Sequence, residues 1–357
     1  MAITKVTTDG IDMKDNTGAL TWVKGTTAQQ PSGALGELRV DTDTKRAVVY
    51  TDQTGTAEWR NLKESSPSFT LSYLIVAGGG GSAGVTTGTG NNFSRGAGGA
   101  GGLRSSYGSD SSGGGNSTES TLSINIGQAY DVEVGPGGAS GVNGTNSKFS
   151  TIESQGGGKI NATGGSGGGG DWNDATVGSG TINQGFAGGS NTSNTLCGGG
   201  GGAGEAGNSD GAGTGGDGVI STIITSLQAS AASVGEVSGT DLYFAGGGSS
   251  GGATPGLGGG GQGPSIPGSY GTGANGGNGS ANSGGGGGAG AVNGPSAASG
   301  GAGGSGVVIL RFPTSSVSSF TVTGTLNTPS TGANTEVTNG SDTCLIFNTG
   351  TGKVTFN

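Results

Sequence analysis

Histidine is absent from this 357-residue chain. That removes the commonest general base and the commonest metal ligand together. Cysteine occurs only at Cys197 and Cys344, 147 positions apart, too few for a disulfide framework or a zinc site, so two buried thiols are expected in preference to a bridge. Only 10% of residues are charged, with 14 basic against 23 acidic. A nucleic-acid binder needs clustered Lys and Arg, so that class is set aside. The longest apolar runs, Leu74–Ala77 and Val307–Leu310, fall far short of a membrane span. No hydrophobic leader stands at the N-terminus, and synthesis in a cytoplasm is expected. Leu, Ile, Val and Phe together number 59, below the share an ordinary globular core requires.

Glycine takes the vacated share, 90 residues in all, against a usual fraction near 7%. The glycines cluster without a strict three-residue period, which excludes collagen. The low charge argues against a solvating disordered chain.

Composition divides the chain into three blocks. Residues 1–66 are nearly ordinary, with 8 basic and 9 acidic residues. Two short strands are expected at Glu37–Val40 and Ala47–Tyr50 with a turn between them, and Trp59 as the apolar plug. A sheet this small needs a partner or copies of itself. Residues 67–313 hold most of the glycines. They open with the strand pattern Phe69–Ala77 and close with Gly306–Pro313. Short strand-like islands lie between, the clearest at Thr121–Gly135, and only Val219–Val234 looks helical, without evident caps. Residues 314–357 lose the glycine runs. They read as a small β cap with Phe320, Val322, Leu345, Phe347, Val354 and Phe356 inward and a hairpin turn at Asn348–Lys353.

Glycine at this density has two physical uses. It makes a flexible linker, or it lets backbones approach closely enough to bond one another. Extended three-residue-per-turn helices have no internal hydrogen bonds. Without side chains, their outward amides and carbonyls are satisfied by neighbouring helices. Embedded strands and spaced aromatics favour the ordered alternative. The fold class expected is therefore all-β with a polyglycine-II-type helix bundle, small terminal β modules and little or no α-helix.

The series YLIVAGGGG, GAGGAGGL, AYDVEVGPGG and GGSGVVILRF, in that order over about 240 residues, resembles the glycine-rich domain of bacteriophage tail-fibre and adhesin proteins. The N-terminal GELRVDTDTKRAVVYTDQTGTAEW looks like a short module frequent in phage structural proteins. A similar glycine lattice occurs in the extracellular region of some receptor kinases, but those carry cysteines and are secreted, and the fit is poor. The phage resemblance implies a virion fibre, attached to other virion proteins through the N-terminal block, trimeric by analogy, with loops that bind a host-surface glycan or protein. It implies no cofactor, no catalysis, no nucleic-acid partner and no membrane insertion. The alternatives are a structural decoration fibre and, less favoured, a polysaccharide depolymerase.

Candidate site residues follow from aromatics stranded among glycines. Trp172 has no adjacent core in sequence. As an exposed anchor it offers large contact area at low entropic cost. Phe93, Phe186 and Tyr270 sit in similar surroundings, and Asn173, with Asn91, Asn92, Asn191 and Asn194, supplies adaptable hydrogen bonding. Gly79-x-Gly81-x-x-Gly84 follows a strand as a dinucleotide fingerprint does, but the following VTTGTGNNF is no helix former and nucleotide binding is rejected. Asp171 and Asp174 flank Trp172 as a carboxylate pair, the minimum a glycosidase requires. Glu205, Asp210 and Asp217 faintly suggest a calcium loop but keep no repeat period. They read as solvated carboxylates, and no metal is expected.

Overall fold

The computed structural model describes residues 24–29, 38–43, 46–51, 58–61, 67–85, 92–172, 174, 176–193, 196–330 and 334–357. Two compact units result, Met1–Ser66 and Pro67–Asn357. The protein is mostly β-sheet, with 30% strand and 4% helix.

In the first unit, Leu38–Asp41 pairs with Arg46–Thr51, which pairs with Glu58–Asn61, and Lys24–Gly25 adds parallel to the first. Trp59 is opposite Tyr50, their rings edge to face at 5.3 Å. The Arg39 guanidinium lies 5.7 Å from the Trp59 ring centroid. Trp59 thus plugs the sheet from its fourth strand, at the edge. Glu37 lies outside the described residues.

The second unit is framed by the two strands that open and close the glycine block. Ser68–Val76 and Val307–Pro313 pair antiparallel along five registers, Val76 opposite Val307. They are the centre of a six-stranded sheet whose order is Glu336–Asn339, Asp342–Phe347, Val307–Pro313, Ser68–Val76, Leu103–Ser105, with Leu122–Asn125 added on the outer half of the opening strand. Alternation sends successive side chains to opposite faces, and here both faces are covered. Phe69, Leu71, Tyr73 and Ile75 meet Val308, Leu310, Phe312, Leu345 and Phe347 on one face. Leu74, Val76, Val307, Ile309 and Ile346 pack on the other, against Ile223, Ile224 and Phe244.

A five-stranded sheet covers the first face. Its order is Ile152–Ser154, Ser147–Phe149, Ala129–Glu133, Thr351–Phe356, Phe320–Gly324. Tyr130, Val132, Phe149, Val354 and Phe356 close the sandwich, and Phe69, Phe312 and Phe356 stack pairwise within 5.6 Å. Leu345, Phe347, Val354 and Phe356 are fully buried, while Phe320 and Val322 pack at the margin.

Two readings are corrected here. Asn348–Lys353 is not a hairpin. Asp342–Phe347 pairs with the closing strand of the glycine block, and Thr351–Phe356 pairs with Phe320–Gly324 and Ala129–Glu133. The chain crosses from one sheet to the other through Gly350, whose φ of +91° takes the corner. A local turn signal cannot distinguish a hairpin from a change of sheet. Residues 314–357 accordingly contribute strands to the sheets that hold 67–313, within one compact unit. The second correction concerns caps. Helix Ser226–Ala232 begins with a capping box, in which the Thr225 hydroxyl accepts from the Gln228 amide and the Gln228 side chain accepts from the Thr225 amide. The spacing Thr-x-x-Gln was present in the sequence.

The glycine segments outside the sheets bond to one another by main-chain groups with a period of three. Ala97 and Ala100 donate to Gly198 and Gly201, Gly98 and Gly101 to Gly287 and Gly284, Gly99 and Gly102 to Gly158 and Gln155. The carbonyls of the same stretch accept from Gly169 and Ser166, from Ala77 and Gly80, and from Gly248. This six-residue stretch therefore touches six other stretches of chain, three through its donors and three through its acceptors. A Cβ built on Gly98, Gly99 or Gly101 collides with the carbonyls of Gly80, Ser166 and Ala77. Close approach, rather than an unusual dihedral angle, explains the glycine there.

Candidate functional site

Trp172 and Phe93 belong to one neighbourhood, and Tyr270 flanks the edge strand of the same small sheet. Phe93–Ser94 pairs with Ala291–Asn293, which pairs with Thr272–Ala274, so Phe93 stands opposite Val292 and Thr272 opposite Asn293. Val85, Phe93, Val292 and Ala298 make a small apolar cluster, and the half-buried Trp172 packs against it with its ring 5.0 Å from that of Phe93. Tyr270 precedes the edge strand and is 71% exposed, its ring resting where a Cβ on Gly294 would lie.

The expectation that the aromatics stand free of any core holds for Tyr270 and needs correcting for Phe93 and Trp172. Phe93 is 2% exposed, and its side chain forms the floor under Trp172, leaving no surface for a partner. Trp172 presents one part of its ring and buries the other. Strand pairing across about 200 residues assembles this cluster, and no local pattern announces it. Phe186 is half-buried elsewhere, its ring tip 3.5 Å from the position of a Gly115 Cβ. Asn173, Asn91 and Asn194 lie outside the described residues; Asn92 is exposed, and Asn191 donates through its side chain to the Trp172 carbonyl.

A charged layer lies beside Trp172. Asp171 is 5% exposed and meets the Arg95 guanidinium at 2.8 Å. Burial raises the Asp171 carboxyl above its ordinary range, and Arg95 together with the Trp172 amide offsets part of that. Asp171 and Asp174 exchange main-chain hydrogen bonds, and the Asp174 carboxylate accepts from Asn161 and from the Thr176 amide. The carboxylates are thus both engaged in holding the Trp172 turn. Cys197 donates to the Ser94 carbonyl at 3.0 Å, and burial, with the Asp171 charge nearby, pushes its thiol up to about 12. Cys344 is likewise free and buried.

Two of the three glycine-fingerprint amides are occupied. Gly79 donates to Gly304 and Gly81 to Val142, which leaves neither for a phosphate. The carboxylates of Glu205, Asp210 and Asp217 converge, with all three within 4.8 Å of one another. Sequence spacing alone gave no reason to expect that convergence. Asp217 and Glu205 also line a cleft of about 670 Å³ together with Asp110, Ile220, Tyr243 and the serines between them. No described helix is long and apolar enough to cross a membrane. Comparison with protein-family models, with curated proteins and with solved structures finds no match for this chain.

Proposed function

We propose that this chain is a bacteriophage virion fibre or adhesin in which a polyglycine-II-type bundle carries a host-binding surface. The observation that carries the reading is the period of three in the main-chain hydrogen bonds around Ala97–Gly102, with six neighbouring stretches. Three residues per turn, no internal bonds and lateral satisfaction of every donor are the properties of a polyglycine II helix. Such rods are rigid, so aromatics at their margins are presented with little entropy left to lose on binding. Tyr270 and the outer part of Trp172, which packs on Phe93 and its cluster, form the favoured contact surface. Phe186 lies apart from it.

The first unit attaches the chain to another virion protein, and a homotrimer multiplies weak contacts into avidity. The test is adsorption. Particles carrying Trp172→Ala with Tyr270→Ala assemble normally and lose attachment to host cells under this reading. Unchanged attachment with normal assembly favours a decoration fibre. Release of reducing ends from host polysaccharide, abolished by Asp174→Ala, favours a depolymerase. Rapid deuterium exchange of the Ala97–Gly102 amides in the assembled particle overturns the bundle itself.

A further inference from the structure

The cleft around Tyr243 lies outside the Trp172 neighbourhood and is lined by Tyr243, Ile220, serines and carboxylates. Its floor is the three-stranded sheet of Val219–Ile220, Asp241–Phe244 and Glu236–Ser238, in which Tyr243 stands between Ile220 and Glu236. Ile220 is 41% exposed and Tyr243 half-buried, which gives the cleft an aromatic and aliphatic wall. The rest of the lining carries the carboxylates of Glu205 and Asp217, with that of Asp210 within 4.8 Å of both, and the hydroxyls of Ser109, Ser111 and Thr222. Among the described residues, Asp217 uses Oδ1 for the Leu257 amide at 2.7 Å and leaves Oδ2 uncommitted, and Glu205 forms no side-chain hydrogen bond. Neither carboxylate takes part in the ion pairs of the described residues.

The backbone that carries the acidic side chains is tied into the glycine network: Gly202 donates to the Glu205 carbonyl and Gly204 to the Asp217 carbonyl. Asp110, by contrast, is saturated by the Ser221 hydroxyl and by the amide and hydroxyl of Thr222. It fixes the wall and takes no part in recognition. The cleft volume, about 670 Å³, lies in the usual range for small-ligand sites.

We propose that this cleft binds a donor-rich saccharide, an amino sugar above all. The Tyr243 ring takes the C–H face of the pyranose. The carboxylates of Glu205 and Asp217 accept from ring hydroxyls and from the ammonium group, in charge-assisted bonds. Carboxylates without a counter-cation repel acidic sugars, and the chain's net charge of -9 adds to that repulsion. The assignment is independent of the adsorption surface: an amino sugar can bind here whether or not the Trp172 face contacts a host.

Saturation-transfer NMR on the full chain, with glucosamine, glucose and glucuronate as probes, tests it. Glucosamine is expected to bind at least tenfold more tightly than glucose, and glucuronate not at all. Tyr243→Ala and Glu205→Gln are each expected to weaken glucosamine by tenfold or more. Glu205→Gln removes no side-chain hydrogen bond among the described residues, so it keeps the test sound if Tyr243→Ala fails to fold. Equal binding of glucuronate, indifference to Glu205→Gln, or binding that disappears in EDTA overturns the proposal. The last result means that the carboxylates hold a cation instead of the sugar.

Discussion

Two regions of the Pro67–Asn357 unit are equally buried and differ in what fills them. Between the two large sheets, the interior is Phe69, Tyr73, Phe149, Phe347 and Phe356 with aliphatic neighbours. Around Ala97–Gly102, the interior is main chain, and the groups in contact are amides and carbonyls. The first region derives its stability from removing apolar area from water. The second has little such area, and its hydrogen bonds each contribute only about 1 kcal/mol net against the large backbone entropy of glycine. Burial alone therefore does not identify a hydrophobic core. The comparison also separates two kinds of sensitivity: the sandwich suffers from lost atoms, and the glycine segments from added ones.

The largest expected effect comes from adding one methyl. Gly98→Ala places a Cβ against the main chain of Gly80 and Gly287, neither of which has a flexible end to yield. A loss of more than about 4 kcal/mol is expected, beyond the usual cost of overpacking, measured by urea denaturation. Gly268→Ala is the control: nothing lies within 4 Å of its Cβ and its φ is ordinary, so a change of less than about 1 kcal/mol is expected. Similar costs for the two substitutions would dissolve the distinction between the regions.

Next comes removal from the sandwich. Phe356→Ala takes away a ring that stacks on both Phe69 and Phe312, with an expected cost of about 3–5 kcal/mol. Denaturant midpoints of this variant and of Gly98→Ala compare the two modes of burial directly.

A third prediction sharpens the boundary between the regions. Glu119 accepts from Arg104, from the Tyr73 hydroxyl at 2.8 Å and from the Ser112 hydroxyl at 3.1 Å. Burial pushes its carboxyl up, but these bonds outweigh burial and hold it below the ordinary range. A depressed carboxyl contributes stability above its unfolded-state pKa and loses it as pH falls through the folded-state value. Glu119→Gln is expected to cost roughly 2–4 kcal/mol at neutral pH, with a smaller deficit below pH 4, read from denaturation at both pH values. The Tyr73 hydroxyl is raised, by burial first and by Glu119 second, so it remains protonated throughout.

The smallest effect is at the helix. Thr225→Ala removes one half of the capping box and is expected to cost about 1 kcal/mol, visible as a small shift in midpoint with no change in either region's exchange pattern.

Much of this was legible in the sequence, for identifiable reasons. The opening and closing strands stand out because both are continuous apolar runs, and such runs mark strands buried on two faces. The inward positions Leu345, Phe347, Val354 and Phe356 follow from alternation alone. What was hidden depends on distant pairing. Phe93 looks exposed in its Asn- and Gly-rich surroundings, and only Val292, some 199 positions later, reveals it as a floor. The corner at Gly350 has the residues of a hairpin, and the partners of its flanking strands decide otherwise. The approach of Glu205 and Asp217, likewise, accompanies a main-chain link from Gly204 to the Asp217 carbonyl that no local pattern announces.

The pairing of Val76 with Val307 has a consequence for biogenesis. The first long strand of this unit emerges from the ribosome 231 residues ahead of the strand that must clasp it, a wait of roughly ten to fifty seconds at ordinary elongation rates. Throughout that interval Leu74, Ile75 and Val76 have no partner on their closing side, and the intervening glycines have no frame to gather on. Assembly of the interior is thus postponed until translation has passed Pro313, and the nascent strand is the segment that a holdase chaperone would have most reason to cover.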